Sequence, residues 1–488
     1  MKLSKHIVEP EYSVNRPEKV LQFGTGVLLR ALCDYYIHKG NQQEDFNGSI
    51  VVVKSTLGSI ENFKEQDNLY TVCVRGIDRG VFSEKNEIIS AISRVISAKD
   101  NWKSILATAE SDDMEIVISN TTEVGLNYQV EKINTEVSPD SFPAKLTTWL
   151  YVRYQANKKG MIIIPTELLV DNGKILKDAV LQTAEISELE TGFIDWLNNE
   201  NSFCSSLVDR IVPGKPAANK KKEIEEKLGY QDDLMTMAET YSLWAIEGDT
   251  NVREKLGFVD TSNQVKVEKD IQKYRELKLR LLNGSHTLMC GLSYLAGFEH
   301  VKDVMNDELM EKYITILMLT ELAPAIPYEV DAKIAQRYGR EVMDRFRNPS
   351  LDHKWLSITL QYTMKMRMRC IPTLINYYEI FDTVPQYFAR GFAAYLLFMK
   401  TTKVEDGKFY GESNGEQYLI NCDSAEYFHE VWQANDTTNV VKIILSNEEL
   451  WGINLAHLPE FSRNVETHLS NMQMIGVREV ASALNVYA

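Results

Sequence analysis

The sequence lacks paired cysteines and clustered histidines. Its 6 cysteines are dispersed without a CxxC pair, and its 8 histidines form no HxH or HExxH motif. This spacing provides no disulfide or zinc framework, and it is typical of proteins in a reduced compartment. We therefore expect no disulfide bond and no metal site.

Positive charge and long apolar runs are also scarce. The formal net charge is -16, which argues against a nucleic-acid backbone or an anionic membrane as a partner. No stretch approaches the roughly 18 uncharged apolar residues of a membrane span, and the start of the chain, MKLSKH, has no apolar core of a signal peptide. We expect a cytoplasmic protein without nucleic-acid or membrane partners. An anionic small substrate remains compatible, because a local basic pocket can lie within an acidic protein.

The distribution of strand and helix patterns predicts two domains. A chain of 488 residues, 44% hydrophobic and 25% charged, is too long for one ordinary core. Strands alternate with helices over residues 19–212, which indicates an α/β sheet, whereas helical periodicity dominates after residue 270. We predict a Rossmann-type dinucleotide-binding domain over residues 1–270 and a mainly α-helical domain over residues 271–488. Residues 410–421 resemble a loop.

A glycine turn follows the first predicted strand. Residues 19–23 form a short apolar strand, Gly24-Thr25-Gly26 follows, and a helix is predicted over residues 31–39. Such a turn lets the backbone approach a pyrophosphate, so Gly24 and Gly26 are predicted to bind a dinucleotide. Leu29 stands at the third glycine position of GxGxxG, which leaves a simple strand-to-helix turn as the alternative.

Two later strands end in polar residues. Residues 49–53 form a strand followed by Lys54, at a point where NAD-specific folds usually place an acidic residue for the ribose hydroxyls. Lys54 could instead contact the 2′-phosphate of NADP, so the residues leave the cofactor open. Residues 115–119 form a strand followed by Asn120, Thr121, Thr122 and Glu123, at a carboxyl end where such sheets bind ligands. Lys54, Thr122 and Glu123 are therefore predicted cofactor contacts.

The segment KLRLLNGSH, residues 278–286, sets three polar groups among leucines. In a regular helix, Asn283 and His286 lie one turn apart, and Lys278 lies two turns before His286, roughly 80° around the axis. Burial among leucines disfavours the charged form of an amine, which suits Lys278 to general acid/base catalysis. Asn283 could stabilise an alkoxide, and His286 could orient a hydroxyl group.

Other interpretations of this segment are structural. Lys278 could be a surface lysine whose stem covers apolar residues, and His286 a core histidine. The alternation of leucines with charged residues before Asn283-Gly284 also suits a strand that ends in a hairpin. We favour a helix because residues 287–298 are apolar on most faces.

The pattern KxRxxNxxH, downstream of a GxGxxxR turn that ends at Arg30, resembles the polyol-specific long-chain dehydrogenases, the family that includes mannitol 2-dehydrogenase. Further family-like segments occur in the same order: Thr122-Glu123-x-Gly125, Leu207-Val208-Asp209-Arg210-Ile211, Trp244-Ala245-Ile246-Glu247 and Arg345-Phe346-Arg347-Asn348-Pro349. Segments at residues 165–173, 204–212 and 226–230, together with His353, resemble members that act on sugar acids. The resemblance implies metal-independent hydride exchange between NAD and a sugar-derived secondary alcohol.

The resemblance also assigns roles to individual residues. It implies that Lys278 is the general acid/base, Asn283 stabilises the oxyanion and His286 orients the substrate. It places Arg30 in the cofactor-binding turn and implies that Lys365 binds the substrate.

Two positions depart from the mannitol-type pattern. Ser205 stands where those enzymes have a second oxyanion asparagine, and Ser357 where they have a substrate-binding arginine. These departures favour a differently shaped ligand, such as a uronate, with Ser205 beside it. Arg367 and Arg369 could pair with its carboxylate, or they could be ordinary surface arginines.

We therefore expect an NAD-dependent oxidoreductase that reduces the keto group of a sugar acid. The alternatives are a related polyol or hexonate dehydrogenase, acting on fructuronate or fructose, and a non-catalytic dinucleotide-binding sensor. No sequence feature indicates an oligomeric state.

Overall fold

The computed structural model describes residues 1–483, apart from the side chain of Glu123, and divides into two compact units. Unit 1 comprises Met1–Arg75 and Ser83–Ile271, and unit 2 comprises Gly76–Phe82 and the chain from Gln272 onward. The main division lies between Ile271 and Gln272, beside residue 270, after which helical periodicity dominates the sequence. The sequence did not indicate that the short segment Gly76–Phe82 groups with the second unit.

Six of the strands before residue 271 form a parallel sheet. They pair in the order β5-β2-β1-β6-β7-β8, and every pairing is parallel. The remaining strands form the sheets β10-β3-β4 and β12-β11-β9. The strands are β1 (Glu18–Phe23), β2 (Ser49–Lys54), β3 (Tyr70–Asp78), β4 (Val81–Ile89), β5 (Ile92–Ser97), β6 (Ile116–Ser119), β7 (Ile162–Pro165), β8 (Ser202–Phe203), β9 (Ser206–Asp209), β10 (Thr236–Glu239), β11 (Leu243–Glu247) and β12 (Val265–Glu268).

The order of the parallel sheet is that of a dinucleotide-binding fold. Numbered along the chain within this sheet alone, the order reads 3-2-1-4-5-6. The strands are apolar on both faces because each face is covered. In β2, Ile50 and Val52 pack into one core cluster, whereas Val51 and Val53 pack into another. The predicted Rossmann-type α/β fold is thus confirmed.

The helices of unit 1 alternate with these strands along the chain. They are α1 (Val27–Ala31), α2 (Cys33–Gln42), α3 (Glu61–Glu65), α4 (Trp102–Ala107), α5 (Phe142–Gln155), α6 (Asn172–Ile186), α7 (Thr191–Asn199), α8 (Ala218–Leu228) and α9 (Thr250–Lys255). The predicted single helix over residues 31–39 is wrong in detail, since Leu32, at φ -126° and ψ -71°, separates α1 from α2.

Unit 2 is mainly helical, as predicted. Its helices are α10 (Gln272–Leu277), α11 (Ser285–Leu295), α12 (Val301–Met305), α13 (Glu308–Ile316), α14 (Ala332–Phe346), α15 (Trp355–Ile358), α16 (Tyr362–Lys365), α17 (Ile371–Ile380), α18 (Gln386–Phe398), α19 (Ala425–Ala434), α20 (Thr437–Ser446), α21 (Glu448–Trp451), α22 (Phe461–Ile475) and α23 (Val477–Ser482). Short 3-10 helices in the two units cover Pro10–Ser13, Thr108–Glu110, Glu123–Leu126, Gly257–Thr261, Ala323–Ala325 and Leu455–His457.

The predicted loop over residues 410–421 is wrong. Strands β13 (Lys403–Glu405), β14 (Lys408–Ser413) and β15 (Glu416–Leu419) form an antiparallel sheet. The Asp406-Gly407 and Asn414-Gly415 pairs connect these strands, and all four residues have positive φ. Such pairs favour two-residue hairpin turns, and they were the sequence signal for this sheet.

In the described part of unit 2, which ends at residue 483, three segments are π-helical, namely Lys278–Gly284, Leu317–Leu322 and Met366–Cys370. The first connects α10 to α11, so the predicted helix around Lys278 exists and the alternative hairpin is wrong. The predicted angular spacing is also wrong, because a π-helical turn contains more residues than the regular turn that was assumed. Such turns are rare, and they occur frequently at functional sites.

Within residues 1–483, no helix combines the length and the apolar character needed to cross a membrane. Over the same residues, no group of three or more His, Cys, Asp or Glu side chains is arranged to hold a metal ion.

Candidate active site

The glycine turn, residues 24–26, lies at the carboxyl end of β1. Gly24 has a φ of 129°, and a Cβ atom there would lie 2.9 Å from Leu29 Cδ1 and 3.2 Å from the Asn120 carbonyl oxygen. A Cβ atom on Gly26 would meet nothing within 4 Å. The backbone therefore borders open space beside Gly26, as the close approach of a pyrophosphate requires, so the turn fits a dinucleotide.

Arg30 is buried in unit 1. Its guanidinium donates a hydrogen bond to the Leu234 carbonyl and lies over the Tyr70 ring, 5.3 Å from the ring centroid. These contacts anchor the helix that follows the glycine turn. Arg30 would thus make its predicted contribution to cofactor binding by holding the glycine turn in position.

Lys54 ends β2, and its Nζ donates to Thr56 Oγ1 at 3.1 Å. Thr122 is exposed after the carboxyl end of β6. The predicted contact by the Glu123 side chain lies outside the described part of the structure. Like the sequence, these positions do not distinguish NAD from NADP as the cofactor.

Glu167 holds the loop that leads to Thr122. Its carboxyl group accepts hydrogen bonds from the Thr121 backbone N–H at 2.7 Å, from Thr121 Oγ1 at 3.1 Å and from Ser119 Oγ at 3.2 Å. Burial raises the pKa of Glu167, although these bonds oppose the shift. Reasoning from the sequence did not identify Glu167 as a functional residue. A buried acid at the carboxyl end of a strand was the available signal.

Ser205 is buried in unit 1, between β8 and β9. Its carbonyl oxygen accepts a hydrogen bond from Glu247 N at 2.8 Å. A Cβ atom on Gly173, in the first turn of α6, would lie 2.5 Å from Ser205 N, so the helix and the Ser205 backbone approach closely. The Asn172 amide donates to the carbonyls of Glu167 and Ser206, at 2.9 and 3.0 Å. The Ser205 backbone is therefore held in place next to the loop that Glu167 supports.

Lys278, Asn283 and His286 lie on one continuous helical stretch of unit 2. Lys278 and Asn283 are in the π-helical segment and partly buried, whereas His286 is in the first turn of α11 and only 8% exposed. The His286 ring stacks on Phe346 with 4.3 Å between centroids, and it meets the His353 ring edge to face at 5.2 Å.

The His286 imidazole is neutral at neutral pH. Desolvation lowers its pKa well below the ordinary value, and the nearby charges of His353, Arg345 and Arg369 add to this effect. Its Nε2 atom is buried without a hydrogen-bond partner among the described residues. A neutral ring with one unpartnered nitrogen suits the predicted role of orienting a substrate hydroxyl.

Arg280 joins two of the π-helical segments. Its Nε donates to Glu276 Oε2 at 2.8 Å, while Nη1 donates to the carbonyls of Met368 and Arg369 at 2.7 and 3.0 Å. Both Arg280 and Glu276 are buried. This clamp fixes the segment that carries Lys278 against the segment that carries Arg369.

Thr287 joins Asn283 to Arg369. Its hydroxyl donates to the Asn283 carbonyl at 2.7 Å and accepts from Arg369 Nη1 at 3.2 Å.

Lys365 Nζ donates to the Ile358 carbonyl at 2.9 Å. Lys365 and Arg369, hereafter the cation pair, are both partly buried, and desolvation lowers the pKa of each.

Within residues 1–483, the cation pair lacks an acidic partner. Lys365 and Arg369 form no ion pair with an Asp or Glu of residues 1–483. Besides desolvation, the charge of Arg369 lowers the pKa of Lys365, nearby thiols raise the pKa of both residues, and no carboxylate contributes.

By contrast, Arg367 is exposed and donates to the Glu449 carbonyl at 3.2 Å. Ser357 is exposed, and its hydroxyl donates to the Lys354 carbonyl at 2.7 Å. Of the two arginines considered for a carboxylate, only Arg369 lies beside His286 and Thr287.

Comparison with known proteins matches both units. A family model of the mannitol dehydrogenase Rossmann domain matches residues 18–258, and one of the mannitol dehydrogenase C-terminal domain matches residues 270–473. The chain belongs to the mannitol dehydrogenase family. It is thus an oxidoreductase that uses a nicotinamide dinucleotide, as the sequence resemblance implied.

Two bacterial relatives are similar over almost their whole length. The altronate oxidoreductase of Halalkalibacterium halodurans is 37% identical, over 96% of this chain and 93% of its own. That of Bacillus subtilis is 36% identical, over 98% of this chain and 97% of its own.

Solved structures share the fold. Pseudomonas fluorescens mannitol 2-dehydrogenase, in a ternary complex with NAD and D-mannitol, superposes with a TM-score of 0.66 at 23% identity and covers 99% of both chains. A D-sorbitol dehydrogenase in substrate-free form gives a TM-score of 0.77 at 20% identity, over 99% of this chain and 100% of its own.

Proposed function

We propose that this enzyme reversibly reduces the keto group of D-tagaturonate to D-altronate with NADH. The single observation that favours a sugar acid over a neutral polyol is the cation pair. Two partly desolvated cations without an acidic partner within residues 1–483 are less favourable than cations joined by an anion, and a substrate carboxylate is such an anion. The relatives named altronate oxidoreductase, at 33–37% identity, support the same substrate.

Each residue of the proposed site has a distinct task. When bound at the glycine turn, the nicotinamide supplies the hydride. Lys278 donates a proton to the forming alkoxide in reduction and accepts the hydroxyl proton in oxidation. The Asn283 amide stabilises the alkoxide with a hydrogen bond, and the neutral His286 ring orients a hydroxyl group. Ser205 and Lys365 contact the substrate, while Gly24, Gly26, Arg30, Lys54, Thr122 and Glu123 form the cofactor side.

The decisive experiment compares initial rates of NADH oxidation with tagaturonate, fructuronate, fructose and fructose 6-phosphate. We expect tagaturonate to give the highest kcat/KM, because it carries both the keto group and the carboxylate. A preference for fructose would contradict the proposed substrate and indicate a mannitol-type dehydrogenase. NADH binding without turnover of any of the four would indicate a sensor.

The choice of cofactor is tested in the same assay. We propose NAD from the family resemblance, and Lys54 stands where an acidic residue would have excluded the 2′-phosphate. Rates with tagaturonate should be higher with NADH than with NADPH at equal concentrations. A strong preference for NADPH would overturn this assignment, and Lys54→Ala should then weaken NADPH binding more than NADH binding.

The cation pair predicts a selective effect of Arg369→Gln. Loss of one charge-assisted hydrogen bond should lower kcat/KM for the uronate by about 10- to 100-fold. The effect on fructose should be smaller, because fructose has no carboxylate. Arg367→Gln is the matched control two residues earlier, and it should leave both substrates unaffected. Equal losses with uronate and fructose in Arg369→Gln would show that Arg369 serves only to hold Thr287.

A further inference from the structure

The parallel sheet of unit 1 consists of two halves. In the order β5-β2-β1-β6-β7-β8, the strands β1, β2 and β5 form one half, and β6, β7 and β8 form the other. A sheet of this type binds a dinucleotide across the crevice between its halves, at the carboxyl ends of the strands, with one mononucleotide on each half. Residues 120–122, hereafter the β6 loop, follow β6 at this crevice.

The β6 loop lies against the glycine turn. The Asn120 N–H donates to the Phe23 carbonyl at 3.2 Å. The Asn120 carbonyl oxygen lies 3.2 Å from the position that a Cβ atom on Gly24 would take. The first half of the sheet carries the glycine turn for the pyrophosphate and Lys54 near the predicted adenosine ribose. The β6 loop belongs to the second half, which leaves it the mononucleotide that carries the nicotinamide.

Thr166 and Glu167, directly after β7, hold the β6 loop by hydrogen bonds. Glu167 Oε1 accepts from the Thr121 N–H at 2.7 Å and from Thr121 Oγ1 at 3.1 Å. The Thr166 carbonyl and Oγ1 accept from Asn120 Nδ2 at 3.1 and 3.0 Å, and Oγ1 donates to the Ser119 carbonyl at 2.7 Å. The β6 loop is thus bound through both its backbone and its side chains.

Thr166 and Glu167 are themselves buried and fixed. Thr166 is 1% exposed and Glu167 is 2% exposed, whereas Thr122 in the β6 loop is exposed. The Glu167 carbonyl accepts from Asn172 Nδ2 at 2.9 Å, so the residue that holds the loop is also held. The reaction proposed for this enzyme uses neither Thr166 nor Glu167.

We propose that Thr166 and Glu167 are positioning residues that hold the β6 loop ready for the nicotinamide half of NADH. A loop that is ordered before binding does not have to lose its conformational freedom when the ligand arrives, which improves affinity. Without Glu167, the Thr121 N–H would lose its acceptor and the loop would be ordered only on binding. The proposal rests on the proposed binding of NADH at residues 24–26.

The test compares NADH with ADP, which shares the adenosine and the two phosphates but lacks the nicotinamide riboside. Fluorescence titration gives the dissociation constant of NADH, and competition against NADH gives that of ADP. Glu167→Met should weaken NADH binding about tenfold, as expected for one lost hydrogen bond, and ADP binding less than about twofold. Glu167→Gln should stay within about threefold of wild type for NADH, because its Oε1 still accepts from Thr121.

Glu321→Met is the matched control in unit 2. Glu321 is buried, and its carboxyl group accepts from the backbone N–H groups of Tyr387 and Phe388 at 2.9 and 2.7 Å. This variant also removes a buried carboxyl acceptor of backbone N–H groups, but far along the chain from the β6 loop. It should bind NADH and ADP as wild type does. A selective loss of NADH binding as large as that of Glu167→Met would contradict the proposal.

The outcomes separate this proposal from the proposed function. Absence of NADH binding by wild type, or failure of ADP to displace NADH, would refute the dinucleotide site itself. Wild-type NADH affinity in Glu167→Met, or equal losses of NADH and ADP binding, would refute the positioning role alone. Should Glu167→Met not fold, Thr166→Val decides, because it removes one acceptor of Asn120 with little change in shape. Its NADH affinity should fall about threefold, and an unchanged affinity overturns the proposal.

Discussion

Lys278→Ala is expected to lose about a hundredfold to ten-thousandfold in kcat while it still binds NADH. General acid/base catalysis by a positioned group contributes roughly 10²–10⁴-fold, and alanine leaves no proton donor for the alkoxide. NADH affinity should be preserved, because the glycine turn belongs to unit 1 and Lys278 to unit 2. Stopped-flow rates of NADH oxidation and fluorescence titration measure the two quantities.

A small primary amine added to Lys278→Ala should restore part of the rate. Such rescue requires a missing proton-transfer group, and a merely structural lysine would not produce it. Lys442→Ala, at an exposed position of α20, is the control and should behave as wild type. Near-normal turnover in Lys278→Ala would refute the role assigned to this residue.

Arg280→Met is expected to lower the free energy of unfolding by about 3–5 kcal/mol and to reduce turnover. It leaves the buried Glu276 carboxylate without the cation that Arg280 supplies, and it removes the donor to the carbonyls of Met368 and Arg369. The π-helical segment that carries Lys278 would then lose its connection to the one that carries Arg369. Urea unfolding followed by circular dichroism measures the change in stability.

The matched control is Lys312→Met. Lys312 pairs with Glu308 at the same i,i+4 spacing but in solvent, so its loss should change the free energy of unfolding by less than about 1 kcal/mol. The double variant Glu276→Gln/Arg280→Met should recover part of the stability, because no uncompensated charge then remains buried. An Arg280→Met protein as stable as the control would show that the clamp contributes nothing.

Local patterns were sufficient for the architecture of unit 1. The apolar run in β2 predicts a strand buried on both faces, and the glycine turn after β1 predicts the fold type, because both depend on residues adjacent in the chain.

In unit 2, the Asp406-Gly407 and Asn414-Gly415 turns were equally local signals. The loop assigned to residues 410–421 was therefore an error of interpretation.

The π-helical geometry at Lys278 could not be predicted in the same way. The apolar spacing of residues 278–286 suits a regular helix, and no residue type specifies an i→i+5 turn. Long-range contacts accompany it, such as the bond of Arg280 to the Met368 carbonyl, across 88 residues of chain. Helical character was therefore predictable, whereas the angles between Lys278, Asn283 and His286 were not.

The sequence by itself determined the family, the parallel sheet, the helical second unit and the residue types of the proposed chemistry, because motif spacing and apolar periodicity are properties of the chain. Only the tertiary structure decided which polar groups share an environment. It separated Arg369 from Arg367, and within residues 1–483 it left the cation pair without an acidic partner. Burial and hydrogen bonding between distant residues produce these arrangements, and neither is encoded at a single position.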